Sequence, residues 1–409
     1  MMAWAFRIFT ALVGWYSLCL LSLSSIYLYS KKSQIKWATY FLTFCWFTPY
    51  LRVRPSSEGL ASSVFIIGLA WLISEIYSKS KSLVFSKSVL FWSGFICGLS
   101  FLFRFQLGLM IFTTWLWLVF LSDIKLKDNI LFAIGVCFAV LIELPIDMWG
   151  YETFTFAPWN YYYQNLVLNK VAGFPTAPWW YYFTASIKRG IPPVSLVLVV
   201  VQVMFWVIKP KSIFTWSMIS LFIIHTIIPT KALRFIFPIL VVTPLFIPLI
   251  HSFMQEKLKA YASFAKTKFA YYLFVSLLII NGILFTQTCL RSAKSAVDLY
   301  HYVYKNNDKI KKIYHYGESP YENVGLELMF YRPKDIVLEK IEETVLVKSL
   351  VAQNKSFWFM SKKGGEIDSI VSLGCSIKKM TYPQWVLKFN FFNWVNRSRV
   401  WTLFYCEGK

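Results

Sequence analysis

Acidic side chains are scarce in this sequence, with 20 Asp and Glu in 409 residues against 42 Lys and Arg. Charged residues of both signs amount to 15%, where a soluble globular chain carries about a quarter. An ordinary water-solvated surface is therefore excluded. Neither G-x-x-x-x-G-K-[ST] nor G-x-S-x-G occurs, which removes the usual signals of P-loop nucleotide hydrolysis and serine hydrolysis. Cysteine is sparse and mostly sits in apolar company: Cys19, Cys45, Cys97, Cys137 and Cys289 behave there as small hydrophobes. Cys375 and Cys406 lie in a more polar C-terminal part and pair if that part faces an oxidising compartment. His225, His251, His301 and His315 show no ligand spacing with Cys or carboxylates, so no structural zinc is expected.

Apolar residues are abundant, 57% of the chain with 20% aromatic, and they come in runs of membrane-span character. Ten candidate spans cover 4–29, 37–51, 60–77, 88–103, 106–122, 129–145, 191–208, 213–229, 235–251 and 269–289. The first has no small-residue cleavage site and reads as a span rather than a signal peptide. Lysines at 31, 32, 36, 79, 81, 87, 125, 127, 209, 211, 257, 259, 266 and 268 fall in alternate connections, which the positive-inside rule assigns to the cytoplasm. The +22 formal charge is thus topological, and with no recognition module present, nucleic acid is not an expected partner. The other side receives Arg52–Ser57, the turn around Arg104, a long loop over 146–190, the segment around Lys231, and everything after 290.

From 290 onward charged and β-branched stretches alternate, broken by Gly and Pro. The pattern predicts a transmembrane domain over 1–289 and a small α/β domain over 290–409 outside the membrane. Asn354 and Asn396 begin N-x-S triplets, sugar acceptors if the compartment is the endoplasmic reticulum lumen.

Only eight carboxylates belong to the membrane part, and four of them, Glu58, Glu143, Asp147 and Glu152, lie at or near the outer face. Any proton transfer there draws on this short list. Asp147 opens the stretch "IDMWGYETFTFAPWNYYYQNLVLNKVAGFPTAPWWYY", with Glu152 five residues on. Its rings suit headgroup depth. Rings interleaved with amides, here Trp159, Asn160, Trp179 and Trp180 among others, also suit sugars, whose C–H faces stack while their hydroxyls take amide partners. Charge bordering a span is expensive and marks a cavity or pathway. Arg104, followed by Gln106 in "FRFQ", and Lys231 and Arg234 in "HTIIPTKALRFIFP", a segment that starts at His225, meet that description. A cation cluster there fits a lipid phosphate arriving from the bilayer.

These stretches, with "RPSSEGLASSVF" from Arg54 and "GIPP" from Gly190, resemble glycosyltransferase family 22, the polyprenyl-phosphate-mannose-dependent mannosyltransferases of N-glycan and GPI-anchor assembly, which has bacterial relatives. Order and spacing agree over about residues 5–250. The resemblance implies a C-type glycosyltransferase fold, an α-helical polytopic membrane protein, and an outer-face site that takes its hexose from a polyprenyl-phosphate donor. A glycan or glycolipid is the implied acceptor. Inversion would follow from direct displacement, with a carboxylate as base and cations on the departing phosphate. Asp147 is the expected base; Arg104, Lys231 and Arg234 are expected on the phosphate. Gln106, Glu152, Trp159, Asn160, Trp179, Trp180 and His225 are expected on the substrates.

Lys231, Arg234 and Phe235 fall on the Lys, Arg and Phe of the family's H-K-E-x-R-F element, whereas Thr230 replaces its His and Ala232 its Glu. Family members also carry an additional first span and an H-P-D-E loop, which this sequence does not show. A reading frame that starts upstream is the expectation, with a degenerate copy as the alternative. The leading expectation is a hexosyltransferase of a bacterial inner membrane, with the endoplasmic reticulum as the alternative site. A lipid-sugar-binding chain without activity and a lipid-linked sugar transporter are the competing function classes.

Overall fold

A computed structural model describes residues 2–78, 85–290, 296–323, 326–327, 332–341, 356–390, 393–397 and 399–407. Lys79, Lys81 and Asn354 lie outside the described residues. The chain divides into two compact units, Met1–Leu290 and Arg291–Lys409.

The first unit is helical: α1 (Met2–Ser24), α2 (Lys32–Phe44), α3 (Thr48–Val53), α4 (Ser57–Ser78), α5 (Lys87–Phe103), α6 (Gly108–Leu121), α7 (Leu126–Tyr151), α8 (Ala157–Tyr162), α9 (Tyr181–Arg189), α10 (Val194–Ile208), α11 (Ile213–Ile227), α12 (Phe237–Leu240), α13 (Ile247–Lys257), α14 (Lys259–Ala265) and α15 (Lys268–Leu290). Ten candidate spans were expected, several of them too short to cross fully; among the described residues four helices are long and apolar enough to cross a membrane, or up to six if each bent pair is one span. The reason is length. At 1.5 Å per residue, the 13 residues of α2 and the 15 each of α10 and α11 rise only about 20 Å, against a hydrocarbon core of about 30 Å. Between α10 and α11 the axis turns by 117° around Lys209-Pro210-Lys211, where proline cannot continue the helix. Hydropathy registers both arms as apolar and is blind to the bend.

The centre of this unit is α4, α5 and α7, packed through small residues. Gly94 and Gly98 of α5 face α7 so closely that a Cβ on Gly94 would stand 2.1 Å from the Phe132 carbonyl oxygen, and one on Gly98 2.7 Å from Ala139 Cβ. This is the small-xxx-small device by which apolar helices gain van der Waals contact when lipid offers no hydrophobic driving force. Around it, Phe65, Leu69, Leu72, Leu90, Phe132, Phe205, Phe214 and Phe246 form one continuous core. The face of α15, in contrast, has no buried residue.

The second unit holds a five-stranded sheet in the order β4-β1-β5-β7-β6, built from β1 (Lys312–Tyr316), β4 (Val337–Ile341), β5 (Phe357–Ser361), β6 (Cys375–Met380) and β7 (Thr402–Cys406). β1 runs parallel to both β4 and β5, while β7 is antiparallel to β5 and β6. A short ribbon pairs β2 (Glu322–Asn323) with β3 (Leu326–Glu327). Alternate residues of β1 are buried, Ile313 and His315 inward, the period-two pattern of a strand covered on one face. Leu299, Tyr300 and Val303 of the helix Val297–Lys305 join Ile313, Met360 and Leu403 in one core. Cys375 and Cys406 stand opposite each other across β6 and β7 and form a disulfide.

Candidate active site

Connections that are distant in sequence meet at one end of the helical unit. Glu58 lies in the first turn of α4, where its carboxylate also faces the helix N-terminus. Arg104 caps α5 in an extended conformation that turns the chain into the short Phe105–Leu107 helix. Arg234 belongs to a second such turn, Leu233–Ile236. The Glu58 Oε1 atom receives both cations, Arg104 Nη1 at 3.4 Å and Arg234 Nε at 3.3 Å. Glu58 and Arg104 side chains are 9% and 20% exposed, but Arg234 is 62% exposed, so the first pair is a sheltered ion pair and the second is open to an arriving ligand. Between them lies Phe235, whose ring centre is 5.2 Å from the Arg104 guanidinium and 5.8 Å from that of Arg234. Burial pulls the Arg104 guanidinium below its ordinary value and Glu58 opposes that shift; the group stays cationic.

His225 is buried at the end of α11 with its ring 5.1 Å from Phe235, and neither ring nitrogen has a hydrogen-bond partner. Lys231 bends back to donate to the Ile228 carbonyl, and burial lowers its affinity for a proton. Gln106 donates from Nε2 to the Tyr161 hydroxyl at 2.6 Å, and Phe105 packs against the Tyr161 ring. The aromatic loop is thereby tied to the Arg104 turn. It is tied to the Lys231 segment as well, by a bridge between Thr176 and Thr230, by the Ala177 amide donating to the Pro229 carbonyl at 3.0 Å, and by Thr230 Oγ1 donating to the Val171 carbonyl.

Asp147 sits in the last turn but one of α7, and its Oδ2 accepts from the Ala157 amide at 2.7 Å, capping α8. One helical turn along α8, about 6 Å, Tyr161 reaches Gln106. Among the described residues no hydrogen bond or ion pair joins Asp147 to Arg104, Lys231 or Arg234. Glu143, one turn before Asp147, is buried with Oε2 unpartnered. Glu152 takes a left-handed conformation, φ 56°, where α7 ends. Trp159 packs against Tyr162 at 5.4 Å, Trp179 against Trp180 at 5.6 Å, and all four rings, like Asn160, are exposed. No group of three or more His, Cys, Asp or Glu able to hold a metal occurs among the described residues.

Beside this cluster opens a cavity of roughly 560 Å³, with Glu58 and Arg234 on its wall along with Arg54, Arg189 and the apolar face of α10. Sequence reasoning did not single out Glu58 as a site residue, nor Arg54, Arg189 and Tyr161. Glu58 was within reach, since it is the acid of "RPSSEG" and one of only eight carboxylates in residues 1–289.

A model of the Alg9-like mannosyltransferase family matches residues 1–333. The chain belongs to that family. No curated protein matches it in sequence. Among solved structures it is similar to the crystal structures of ArnT from Cupriavidus metallidurans in the apo state and bound to undecaprenyl phosphate. Each aligns with a TM-score of 0.52 at 10% identity, over 98% of this chain and 83% or 84% of the other. At that identity the likeness establishes the fold, that of the C-type glycosyltransferases. Family and fold together make this a membrane glycosyltransferase-type protein with a helical body and a small C-terminal sheet.

Proposed function

We propose that the protein transfers a hexose, mannose in the first instance, from a polyprenyl-phosphate donor to an acceptor hydroxyl at the outer face of the membrane, with inversion at the sugar carbon. The observation that carries this reading is the pair of arginines, Arg104 and Arg234, held against one ring and one carboxylate beside a cavity of roughly 560 Å³. The undecaprenyl phosphate complex of ArnT, a protein of the same fold, supports a lipid-linked donor.

The chemistry places each group. The acceptor oxygen attacks the anomeric carbon as the bond from that carbon to the phosphate oxygen breaks, and the phosphate leaves with one more negative charge. Arg234, open to solvent on one side, and Arg104 behind it stabilise that charge as it develops, the kind of interaction whose loss costs about a hundredfold or more in other enzymes. The acceptor proton passes to a carboxylate, which we assign to Asp147; one of its oxygens holds α8 and the other is left for the proton. Trp159, Asn160, Trp179 and Trp180 supply ring faces and an amide for sugar, and the Cys375–Cys406 bridge suits a compartment outside the cytoplasm. Membranes holding the full chain should move radiolabelled sugar from polyprenyl-phosphate mannose to lipid or glycan. Arg234→Ala should slow that transfer at least tenfold; unchanged turnover refutes the phosphate role.

A further inference from the structure

In the sheet order β4-β1-β5-β7-β6, β1 lies between two strands that run parallel to it. The chain adds β4 on one side of β1 and then crosses to add β5 on the other. Open α/β sheets take ligands outside the carboxyl ends of their strands at such a reversal, because the loops leave in opposite directions there and part. Here the reversal falls between β1 and β5. Tyr316 and Glu318 stand at the end of the first strand, Lys362 and Lys363 at the end of the second. β1 leaves through Gly317 at φ 70°, a conformation that glycine takes without strain, and a Cβ there would meet nothing within 4 Å.

Three cations and two carboxylates gather on these ends. Glu318 receives Lys362 Nζ on Oε1 at 3.1 Å and Arg399 Nη2 on Oε2 at 3.1 Å. The Val400 amide donates to the Lys362 carbonyl at 3.0 Å and so holds Arg399 beside that strand end. Lys363 Nζ lies 4.6 Å from the Tyr316 ring centre and 2.9 Å from Glu366 Oε1, while its amide donates to the buried Ser361 hydroxyl at 3.2 Å. Ion pairs this open to water are weak and yield to a ligand. Two cations, each given one oxygen of a shared carboxylate, are also spaced to take two oxygens of a phosphoryl group. A bare phosphate would be repelled by the two carboxylates, whereas a sugar offers them hydroxyl donors. We propose that the switch between β1 and β5 binds a phosphorylated sugar, its phosphate between Lys362 and Arg399 and its hydroxyls on Glu318 and Glu366. This site is independent of the transferase reading and of the groups assigned to the donor.

Isothermal titration calorimetry on the purified full-length protein tests this with glucose 6-phosphate, inorganic phosphate and glucose as probes. Wild type should bind glucose 6-phosphate saturably and about tenfold more tightly than inorganic phosphate, and should give no heat with glucose. Lys362→Gln and Arg399→Gln should each weaken glucose 6-phosphate about tenfold, and Glu366→Gln should bring its advantage over phosphate below about threefold. Lys312→Gln, at the opposite end of β1, and Arg234→Ala in the helical unit should leave binding unchanged. Absence of saturable binding by wild type overturns the proposal, as do equal affinities for the two phosphates or full binding in both Lys362→Gln and Arg399→Gln. Loss of binding in Arg234→Ala would put the ligand at the donor site instead, and equally potent displacement by dioleoyl phosphatidylglycerol would make it a lipid headgroup; either result refutes the assignment. A chain that binds glucose 6-phosphate but transfers no hexose would sink the enzymatic proposal and leave this site standing.

Discussion

Glu58 pairs with both Arg104 and Arg234, and on the proposed reading, in which these arginines take the donor phosphate, Glu58→Gln separates a placeholder for that phosphate from a simple structural ion pair. The Glu58 carboxylate neutralises Arg104, which is four-fifths buried, and touches the more exposed Arg234. Removing one partner of a buried pair costs about 3–5 kcal/mol; glutamine keeps a hydrogen-bond acceptor in the same position, so the expected loss of stability is smaller, about 1–3 kcal/mol. Ligand binding should move the other way. A phosphate monoanion held by Arg234 about 6 Å from the Glu58 carboxylate is repelled by ~2.8 kcal/mol at an effective dielectric of about 20. The open side of the site screens roughly half of that. Neutralising Glu58 should therefore tighten undecaprenyl phosphate by about tenfold while lowering the unfolding temperature of the detergent-solubilised protein. Titration of the lipid phosphate by native mass spectrometry, paired with thermal unfolding of the same samples, reads both quantities. Weaker or unchanged binding in Glu58→Gln would refute the placeholder argument, because a merely structural bridge loses stability and binding together.

Asp147→Asn retains an oxygen to cap α8 but no basic carboxylate, so sugar transfer should fall at least a hundredfold with lipid-phosphate binding unchanged; residual activity near wild type would remove Asp147 from the role of base. Gly94→Leu drives a side chain into the Phe132 backbone and should destabilise the α5–α7 contact by at least ~3 kcal/mol, visible as loss of monodisperse protein on size exclusion; an unaltered unfolding temperature would mean the helices do not meet there. In the C-terminal unit, burial holds His315 below its ordinary value of 6.5, with Lys340 adding to the shift. Its depressed folded value means that stability is complete above 6.5 and is lost as pH falls below it, since the unfolded chain takes up the proton first. Hydrogen exchange at β1 in the full chain should accelerate on acidification, and His315→Asn should flatten that dependence; an equally steep profile in the variant would assign the acid sensitivity to other groups.

How much was legible beforehand differs from residue to residue. Arg104, Gln106, Lys231 and Arg234 stand out in sequence because charge and amides are rare at the ends of apolar runs, and the structure brings the Arg104 turn, the aromatic loop and the Lys231 segment to one end of the bundle. Glu58 does not stand out. A carboxylate in a helix's first turn has an ordinary explanation, and only its contacts with two arginines from remote connections change its meaning. Asp147 stands out in sequence as a carboxylate at the end of an apolar run, but its engagement with the Ala157 amide depends on a loop path that no local pattern encodes. The number of full crossings is hidden in the sequence for a similar reason. Hydropathy measures the company a residue keeps over a window, and it cannot tell a full crossing from a 15-residue arm followed by a 117° turn.

By itself, then, the order of residues determined the solvent, the apolar helices, the lysine-rich connections and the family motifs, because transfer free energy and backbone propensity act within a few turns of chain. The tertiary structure alone decided which cations share a carboxylate, which face of α10 lines the cavity, that Glu318 meets Lys362 and Arg399, and that β1 lies between β4 and β5. Those outcomes are pairings between segments far apart in the chain, settled by shape and by the cost of leaving a buried charge or donor alone, and neither quantity exists until the segments meet.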